Sequence, residues 1–291
     1  MLASGNGSKS VPDSRAVATE LLALTAWDLE RSERTLPDTP RARVIRLRTH
    51  ARLQTALEEQ RGVPPEIRSF IGIQENARSA CLLVHGVSST PADLRPLAEY
   101  LHAHGLTVYL LLLPGFGLVA EGPSRIVWRA SLQEIKLRVR FLRRLHRQVH
   151  LVGYGLGSAL AIHLARQDPV TSLILLAPAL IPRVNIVERL LLRLKVHRLP
   201  WLRPRLGWSA EELEAMESAR SQISRLRLPV YAAQCDDDEH ISPISLRVLQ
   251  KRVRHRASRF RAFPSGGHDL LATHGAEALH AEILSFIQGG H

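Results

Sequence analysis

Three positions along the chain carry residue types from which an active site could be built. One is a glycine run, Gly153-Tyr154-Gly155-Leu156-Gly157, which interrupts an apolar stretch that then resumes with helical spacing. The others are an acidic loop containing Asp238 and a glycine-flanked His268, each just after a strand-like run. A carboxylate and an imidazole together can act as a general base. A glycine turn from a strand into a helix binds phosphate, carries an active-site residue or only reverses the chain.

The glycine turn lacks the features of a nucleotide-binding loop. A dinucleotide site requires G-x-G-x-x-G/A in the first strand–helix–strand unit and an acidic residue at the end of the next strand. Here the pattern is G-x-G-x-G-S in the middle of the chain, and the next strand ends in LLAPAL without an acid. The phosphate loop G-x-x-x-x-G-K-[ST] is also absent. These departures argue against nucleotide binding.

The same turn fits a nucleophile elbow in everything except its central residue. The motif G-x-S-x-G needs small residues two positions before and after the nucleophile, because the turn is too tight for side chains there. Gly153 and Gly157 meet that requirement, and glycine tolerates the strained backbone of the central position. Gly155, however, has no hydroxyl. The sequence therefore predicts an active-site turn that has kept its geometry and lost its nucleophile.

Strand-like and helical segments alternate along residues 66–291. The strands are continuously apolar, as in SACLLVHGV, LTVYLLLLP, VHLVGY, SLILLAPAL and PVYAAQC. The clearest helix is STPADLRPLAEYLHAHG, with Thr90 as N-cap and Pro91 in the first turn, and a basic amphipathic helix is predicted at about 126–147. This alternation predicts an α/β fold with a mainly parallel sheet and helices on both faces. Ligands of such sheets bind beyond the carboxyl ends of the strands, where the three positions above fall.

A long connection between two of these strands, at about 180–225, departs from the rhythm. It exceeds an ordinary crossover and is predicted to be a helical insertion. Residues 183–205 hold seven Lys or Arg against one acid, Glu188, and Trp201 and Trp208 lie close by. We expect a lid over the strand ends, giving a mostly apolar pocket with a basic rim.

The first 65 residues form a segment of their own. They are polar and charged, with helical patches separated by prolines, and we interpret residues 1–65 as an N-terminal helical extension. The N-terminus does not combine a basic region with an apolar one, so it does not resemble a secretory signal. Cys81 and Cys235 lie in apolar strand-like runs and are interpreted as buried, reduced thiols. We therefore expect a cytoplasmic protein.

Composition and charge narrow the classes of partner. The 291 residues carry a formal net charge of +12, and no apolar run reaches the roughly 18 residues of a transmembrane helix. A basic surface attracts anionic lipid, nucleic acid or acidic substrates, unless it is merely solvated. Zinc-finger spacing, RNA-binding motifs and aromatic–basic interleaving are absent, which argues against nucleic acid. The expected partner is a small molecule, with peripheral contact to an anionic membrane as a further option, and we expect no metal or cofactor.

Together these segments resemble the α/β-hydrolase superfamily, and within it the bacterial carboxylesterase and monoacylglycerol-lipase-like branch. The resemblance covers residues 66–291 and is carried by LLVHGVSSTPADLRPLAEYLHAHGLTVYLLLLPGFG, the glycine turn, AAQCDDDEHISP and FPSGGHDLL. It implies the α/β-hydrolase fold and a Ser-His-Asp-type site for acyl or lipid-like esters.

The resemblance also assigns roles to individual positions, in the chain order of the family. They are Gly155 at the nucleophile position, Asp238 as the acid, His268 as the base, and the backbone N–H groups of Val87 and Leu156 as the oxyanion hole. Asp236 and Asp237 are local competitors for the acid. His85-Gly86 is the pair that precedes the first oxyanion donor.

Departures from the family keep several functions open. Phe116 stands in PGFG where histidine is frequent, and Ser158, one helical turn beyond Gly155, is expected to point into helix packing. Without a hydroxyl there is no acyl-enzyme, so the chain is expected to be inactive in acyl transfer, as an engineered knock-out or a natural pseudo-hydrolase. The alternatives are a non-acyl enzyme of lyase, hydratase or cofactor-free oxygenase type, with His268–Asp238 as general base, and a ligand-binding or interaction protein.

Overall fold

Strands and helices alternate along the chain. The computed structural model describes residues 39–117, 127–185, 187–188, 190, 208–273 and 275–289. The strands are β1 (Phe70–Gly72), β2 (Ser79–Val84), β3 (Thr107–Leu111), β4 (Gln148–Tyr154), β5 (Ser172–Leu176), β6 (Val230–Cys235) and β7 (Arg259–Phe263). The helices are α1 (Pro40–Gln60), α2 (Pro91–Ala103), α3 (Trp128–Leu145), α4 (Leu156–Leu164), α5 (Ala210–Gln222), α6 (Ile244–Arg252) and α7 (Ala276–Gln288). Within these ranges, no helix is both long and apolar enough to cross a bilayer.

The strands form one sheet in the order β1-β3-β2-β4-β5-β6-β7. β1 pairs antiparallel with β3, and the other pairings are parallel. Parallel neighbours need crossover connections, and most of the helices lie in those connections. The predicted α/β fold with a mainly parallel sheet is confirmed. As a result, the carboxyl ends of β2 to β7 meet at one edge.

Strands β2 to β6 are buried on both faces, which explains why they read as continuous apolar runs. Alternate residues belong to different layers. Leu82 belongs to the core layer that α1, α3, α4, α5 and α6 cover, whereas Leu83 belongs to the layer that α2 and α7 cover. Burying one such side chain contributes roughly 1.5–3 kcal/mol. The central strands are therefore held on both sides, and the turns at their ends have a rigid base.

Local signals set the start of α2 as predicted. Pro91 is the first helical residue, and the Thr90 N–H donates to Asp93 Oδ2 at 2.6 Å in a capping box. Charges and caps of this kind satisfy N–H groups that have no partner within the helix. The capped helix fixes the far end of the loop at residues 85–90, which follows β2.

Helix α1 lies inside the predicted N-terminal extension and packs on the sheet. Leu47 belongs to the core beneath this face, and His50 Nε2 lies 3.0 Å from the Tyr109 hydroxyl. Residues 1–38 lie outside the described residues, as does the helical patch predicted within them. The domain boundary at residue 65 stays a prediction.

The insertion predicted at 180–225 is described in part. Its final helix, α5, packs against α4, where His163 Nδ1 lies 2.8 Å from the Ser218 hydroxyl. At its start, Pro182 forms an isolated antiparallel bridge with Ile241. Residues 191–207, which hold Trp201 and most of the basic side chains, lie outside the described residues.

Candidate active site

The glycine turn between β4 and α4 is sterically a nucleophile elbow. Gly155 has φ 54° and ψ −122°, a conformation that glycine adopts at little cost. A Cβ on Gly153 would lie 2.5 Å from the Gly157 oxygen, and one on Gly157 would press on the Val84 oxygen. Both flanking positions therefore require glycine, because strand, turn and helix approach one another too closely for a side chain.

The space around position 155 is different. A Cβ there would lie 3.4 Å from His268 Nε2 and 3.8 Å from Gly86 Cα, which are van der Waals contacts. A side chain at this position would thus face the imidazole. Ser158 is no substitute, since it is buried and donates its hydroxyl to the Gly153 oxygen at 2.7 Å. The expectation that Ser158 points into helix packing is confirmed.

The structure brings Asp238, after β6, together with His268, after β7. His268 Nδ1 lies 3.1 and 3.2 Å from the two carboxylate oxygens. Asp238 is fully buried and His268 is 9% exposed. Nδ1 thus faces the carboxylate, and in the tautomer that donates from Nδ1 the other nitrogen, Nε2, is the acceptor on the side of Gly155. The pair is arranged as a general base facing the elbow.

Hydrogen bonds hold Asp238 in its ionised form. Burial by itself raises the pKa of this carboxyl, but its bonds with His268 and with backbone N–H groups outweigh burial and lower the pKa below its ordinary value. The N–H groups of His240 and Ile241 donate to Oδ1 at 2.9 and 2.8 Å. Asp238 is therefore a carboxylate at neutral pH.

The acidic residues on either side of the buried carboxylate hold the histidine loop. Asp237 accepts hydrogen bonds from the N–H groups of Gly266 and Gly267 at 3.1 and 2.8 Å, and these bonds lower its pKa. Glu239 accepts from the N–H of His268 at 3.1 Å. From the sequence, Asp237 is predicted only as a competitor for the acid, and Glu239 is given no role. The pattern that could have revealed both is a run of carboxylates after β6 together with a Gly-Gly-His run after β7, whose backbone N–H groups donate to them.

The residues predicted to supply the oxyanion donors border the cavity. Val87 and Leu156 both line the cavity beside Gly155. Leu156 is the first residue of α4, so its N–H has no acceptor within the helix. Two backbone donors thus border the elbow from different loops.

His85 fixes the loop that carries the first of these donors. Its Nδ1 lies 2.7 Å from the Gly86 oxygen, and its Nε2 accepts from the Leu113 N–H at 3.0 Å. Burial lowers the pKa of His85 to about 4, so the ring is neutral at pH 7 with its proton on Nδ1. Phe116, in the position where the family often has histidine, is buried with its ring 4.7 Å from that of His85. The neutral ring ties the ends of β2 and β3 together.

A cavity of about 410 Å³ opens over the elbow, and its lining is more acidic than expected. Apolar and charged side chains share its walls: Ala179, Val184, Trp208 and Ile241, with Arg183, Glu188, Glu212, Glu239 and His240. Within the described residues the lining holds three glutamates and one arginine; residues 191–207, with most of the basic side chains of the insertion, lie outside them, so the basic rim stays a prediction. The acidic lining has a local reason. Glu212, which caps α5, and Glu239, which holds the histidine loop, both line the cavity.

Arg183 joins the insertion to the acid loop, a role that the sequence did not reveal. Its guanidinium donates to the Asp238 carbonyl, and its N–H donates to the His240 oxygen at 2.8 Å. The contact depends on the bridge between Pro182 and Ile241, which no local pattern signals. The start of the insertion and the loop of the buried carboxylate therefore form one unit.

Sequence comparisons relate parts of the chain to known proteins. Residues 75–208 match the family described as serine aminopeptidase, S33. The chain is also 32% identical over 95 residues to a thermostable monoacylglycerol lipase of Bacillus sp. (strain H-257). That match covers 33% of this chain and spans only 38% of the lipase.

Solved structures share the fold over most of the chain. The metagenome-derived lipolytic enzymes LipS and LipT are represented by a structure with a TM-score of 0.68 and 17% identity, covering 78% of this chain and 99% of the other. The monoacylglycerol lipase of Paleococcus ferrophilus matches with a TM-score of 0.61 and 18% identity, over 75% and 97% of the two chains. With its sheet order, its elbow and these matches, the chain has the α/β-hydrolase fold and is similar to the carboxylesterase and monoacylglycerol-lipase-like branch of that superfamily.

Proposed function

We propose that the protein is a carboxylesterase- or lipase-type hydrolase scaffold that binds small acyl esters or lipid-like molecules and forms no acyl-enzyme. One observation carries the proposal: a Cβ at Gly155 would lie 3.4 Å from His268 Nε2. The Asp238–His268 pair and the N–H groups of Val87 and Leu156 thus surround a position that has no hydroxyl. The lipases and esterases among its relatives support an acyl ester as the ligand. No specific observation favours the non-acyl or interaction-protein alternatives.

In the proposed complex the ester carbonyl oxygen accepts from the Val87 and Leu156 N–H groups, and the acyl and alcohol parts fill the cavity. His268 Nε2 faces the reacting carbon but has no serine to deprotonate. The insertion acts as a lid, and Arg183 and Trp208, which both belong to it and line the cavity, support this part of the proposal. Loss of a nucleophile leaves binding intact while blocking acyl transfer.

Two further parts of the proposal concern where the protein works. Cys81 and Cys235 are buried free thiols, which fits a reducing compartment such as the cytoplasm. The net charge of +12 supports peripheral contact with an anionic membrane.

The test is to restore the nucleophile with Gly155→Ser. The new hydroxyl would lie beside His268 Nε2, with both oxyanion donors in place, and each such donor is typically worth roughly 2.7–4 kcal/mol of transition-state stabilisation. We expect activity on short p-nitrophenyl esters and labelling by a fluorophosphonate, both absent from the parent chain.

Controls separate a restored triad from a spurious gain. Gly155→Ala adds the Cβ without the hydroxyl and should be folded and inert. His268→Ala in the Gly155→Ser background should abolish the activity. A serine form that is folded yet inert toward a broad ester panel would refute the proposal.

A further inference from the structure

The sheet edge opposite the cavity is strongly basic. In a parallel sheet, the connections that lead into strands lie at this edge, together with the carboxyl ends of the crossover helices. Ten exposed cations occupy these connections and last helical turns, and we call them the basic pole: Arg78, Arg143, Arg147, Arg166, Arg225, Arg227, Lys251, Arg252, Arg254 and Arg256.

Carboxylates do not neutralise the basic pole. In the same connections the described residues include only Glu75 and Asp168 as acids. Both are already paired, Glu75 with Arg48 at 3.0 Å and Asp168 with Arg140 at 2.8 Å. None of the ten cations takes part in an ion pair within the described ranges. Their charge therefore faces solvent uncompensated.

The cavity edge has the opposite character. Its strand-leaving loops and first helical turns carry ten of the twenty described acids: Asp93, Glu188, Glu211, Glu212, Asp236, Asp237, Asp238, Glu239, Asp269 and Glu277. The helix dipole favours acids near the N-terminus of a helix and cations near its C-terminus, but only within the first and last turns. Arg78, Arg147, Arg227, Arg254 and Arg256 lie outside the helices, in the connections themselves. Helix stabilisation thus does not account for the basic pole.

We propose that the basic pole is the surface by which the protein adsorbs to anionic phospholipid, so that the cavity faces away from the bilayer. The pole runs from the connection before β2 to the one before β7, four strand spacings or about 19 Å across. A broad array of cations suits a planar polyanion. Its connections contain no Trp, Tyr or Phe on which bases could stack, which favours lipid over nucleic acid. This inference rests on the membrane contact named in the proposed function and assigns it to one surface; its failure would leave the ester-binding part, which Gly155→Ser tests separately, intact.

The experiment is co-sedimentation of the full chain with vesicles. We expect binding to phosphatidylcholine vesicles that contain roughly one third phosphatidylglycerol, no binding to phosphatidylcholine alone, and release in molar salt, because the attraction is screened within ~8–10 Å even at physiological ionic strength. The triple variant Arg147→Gln/Arg227→Gln/Arg254→Gln removes three charges spread along the pole. It should weaken binding about 10- to 100-fold while keeping the urea-unfolding midpoint of the parent.

A matched variant removes the same charge from the part of the predicted insertion that lies outside the described residues: Arg193→Gln/Arg198→Gln/Arg203→Gln. It should bind vesicles like the parent. Equal losses in both variants would reduce the effect to net charge, and a loss only in the insertion variant would assign the membrane contact to the insertion instead of the pole. Either result overturns the proposal, as would binding that survives molar salt or no binding at low salt. Binding to a short DNA duplex would also be measured. If the affinity for the duplex exceeded that for vesicles and fell in the triple variant of the pole, the pole would be assigned to nucleic acid instead.

Discussion

Replacing Gly153 by alanine would place a methyl group 2.5 Å from the Gly157 oxygen and from Ser158 Cα, where backbone leaves no room. We expect Gly153→Ala to lower the free energy of unfolding by roughly 1–3 kcal/mol or more, as overpacked cores do. Gly155→Ala meets only van der Waals contacts and should cost about 1 kcal/mol, for its positive φ. Urea unfolding measures both. Equal costs at the two positions would contradict the elbow geometry.

The sequence predicted the residues that follow strands and missed those that act across loops. Asp238 and His268 were predictable because parallel strands bring their carboxyl ends to one edge, and Gly153 and Gly157 because their spacing reflects a tight turn. Arg183 was not, since its bond to the Asp238 carbonyl depends on the register between two loops. Catalytic roles for these residues stay predictions until the serine variant is assayed.

At the scale of elements, α1 is held to α3 by a buried polar network. Arg138 is fully buried, pairs with Glu134 and donates to Gln54 at 2.9 Å, and Gln54 donates to Glu58 at 2.7 Å. Arg138→Ala would leave these partners buried without their cation and should lower the free energy of unfolding by roughly 3–5 kcal/mol.

Two measurements check this prediction. Urea unfolding gives the loss of stability, and limited proteolysis should show earlier cleavage within α1. The double variant Glu134→Gln/Arg138→Met removes both charges and should be less destabilised than Arg138→Ala. If the single variant kept the parent's stability, the network would not be what holds α1.

Helix starts were predictable at this scale, whereas the side that a charged helix buries was not. Thr90, Pro91 and Asp93 signal the start of α2 by local chemistry. Arg138 and Glu134, one turn apart on a basic amphipathic helix, read as a solvated pair. Only the packing of α1 over α3, between segments distant in sequence, turns that pair inward.

For the whole molecule, buried histidines make stability sensitive to acid. Burial lowers the pKa of His85 and of His146 to about 4, and lowers that of His50 as well. Their pKa values are near 6.5 in the unfolded chain, so between pH 6.5 and 4 the unfolded state binds more protons. This stability is fully present above pH 6.5 and falls by about 1.4 kcal/mol per pH unit for each histidine as the pH drops.

Urea unfolding at pH 7, 6 and 5 should therefore show a steady loss of stability. His146→Gln removes one of the titrating groups and should reduce the slope of the free energy of unfolding against pH by the contribution of one histidine. A free energy of unfolding that stays constant from pH 7 to pH 5 would contradict the prediction.

The order of strands also bears on how the chain reaches this structure. β2 is paired on one side with β3, which follows closely, and on the other with β4, where Ser79 meets Gln148, 69 residues later. Closing so long a loop loses entropy before its contacts form, which slows folding. On the ribosome, the β4-facing edge of β2 stays open until residue 154 has emerged, and open apolar edges invite pairing with other chains. The chain is thus most exposed to aggregation while it is still being made.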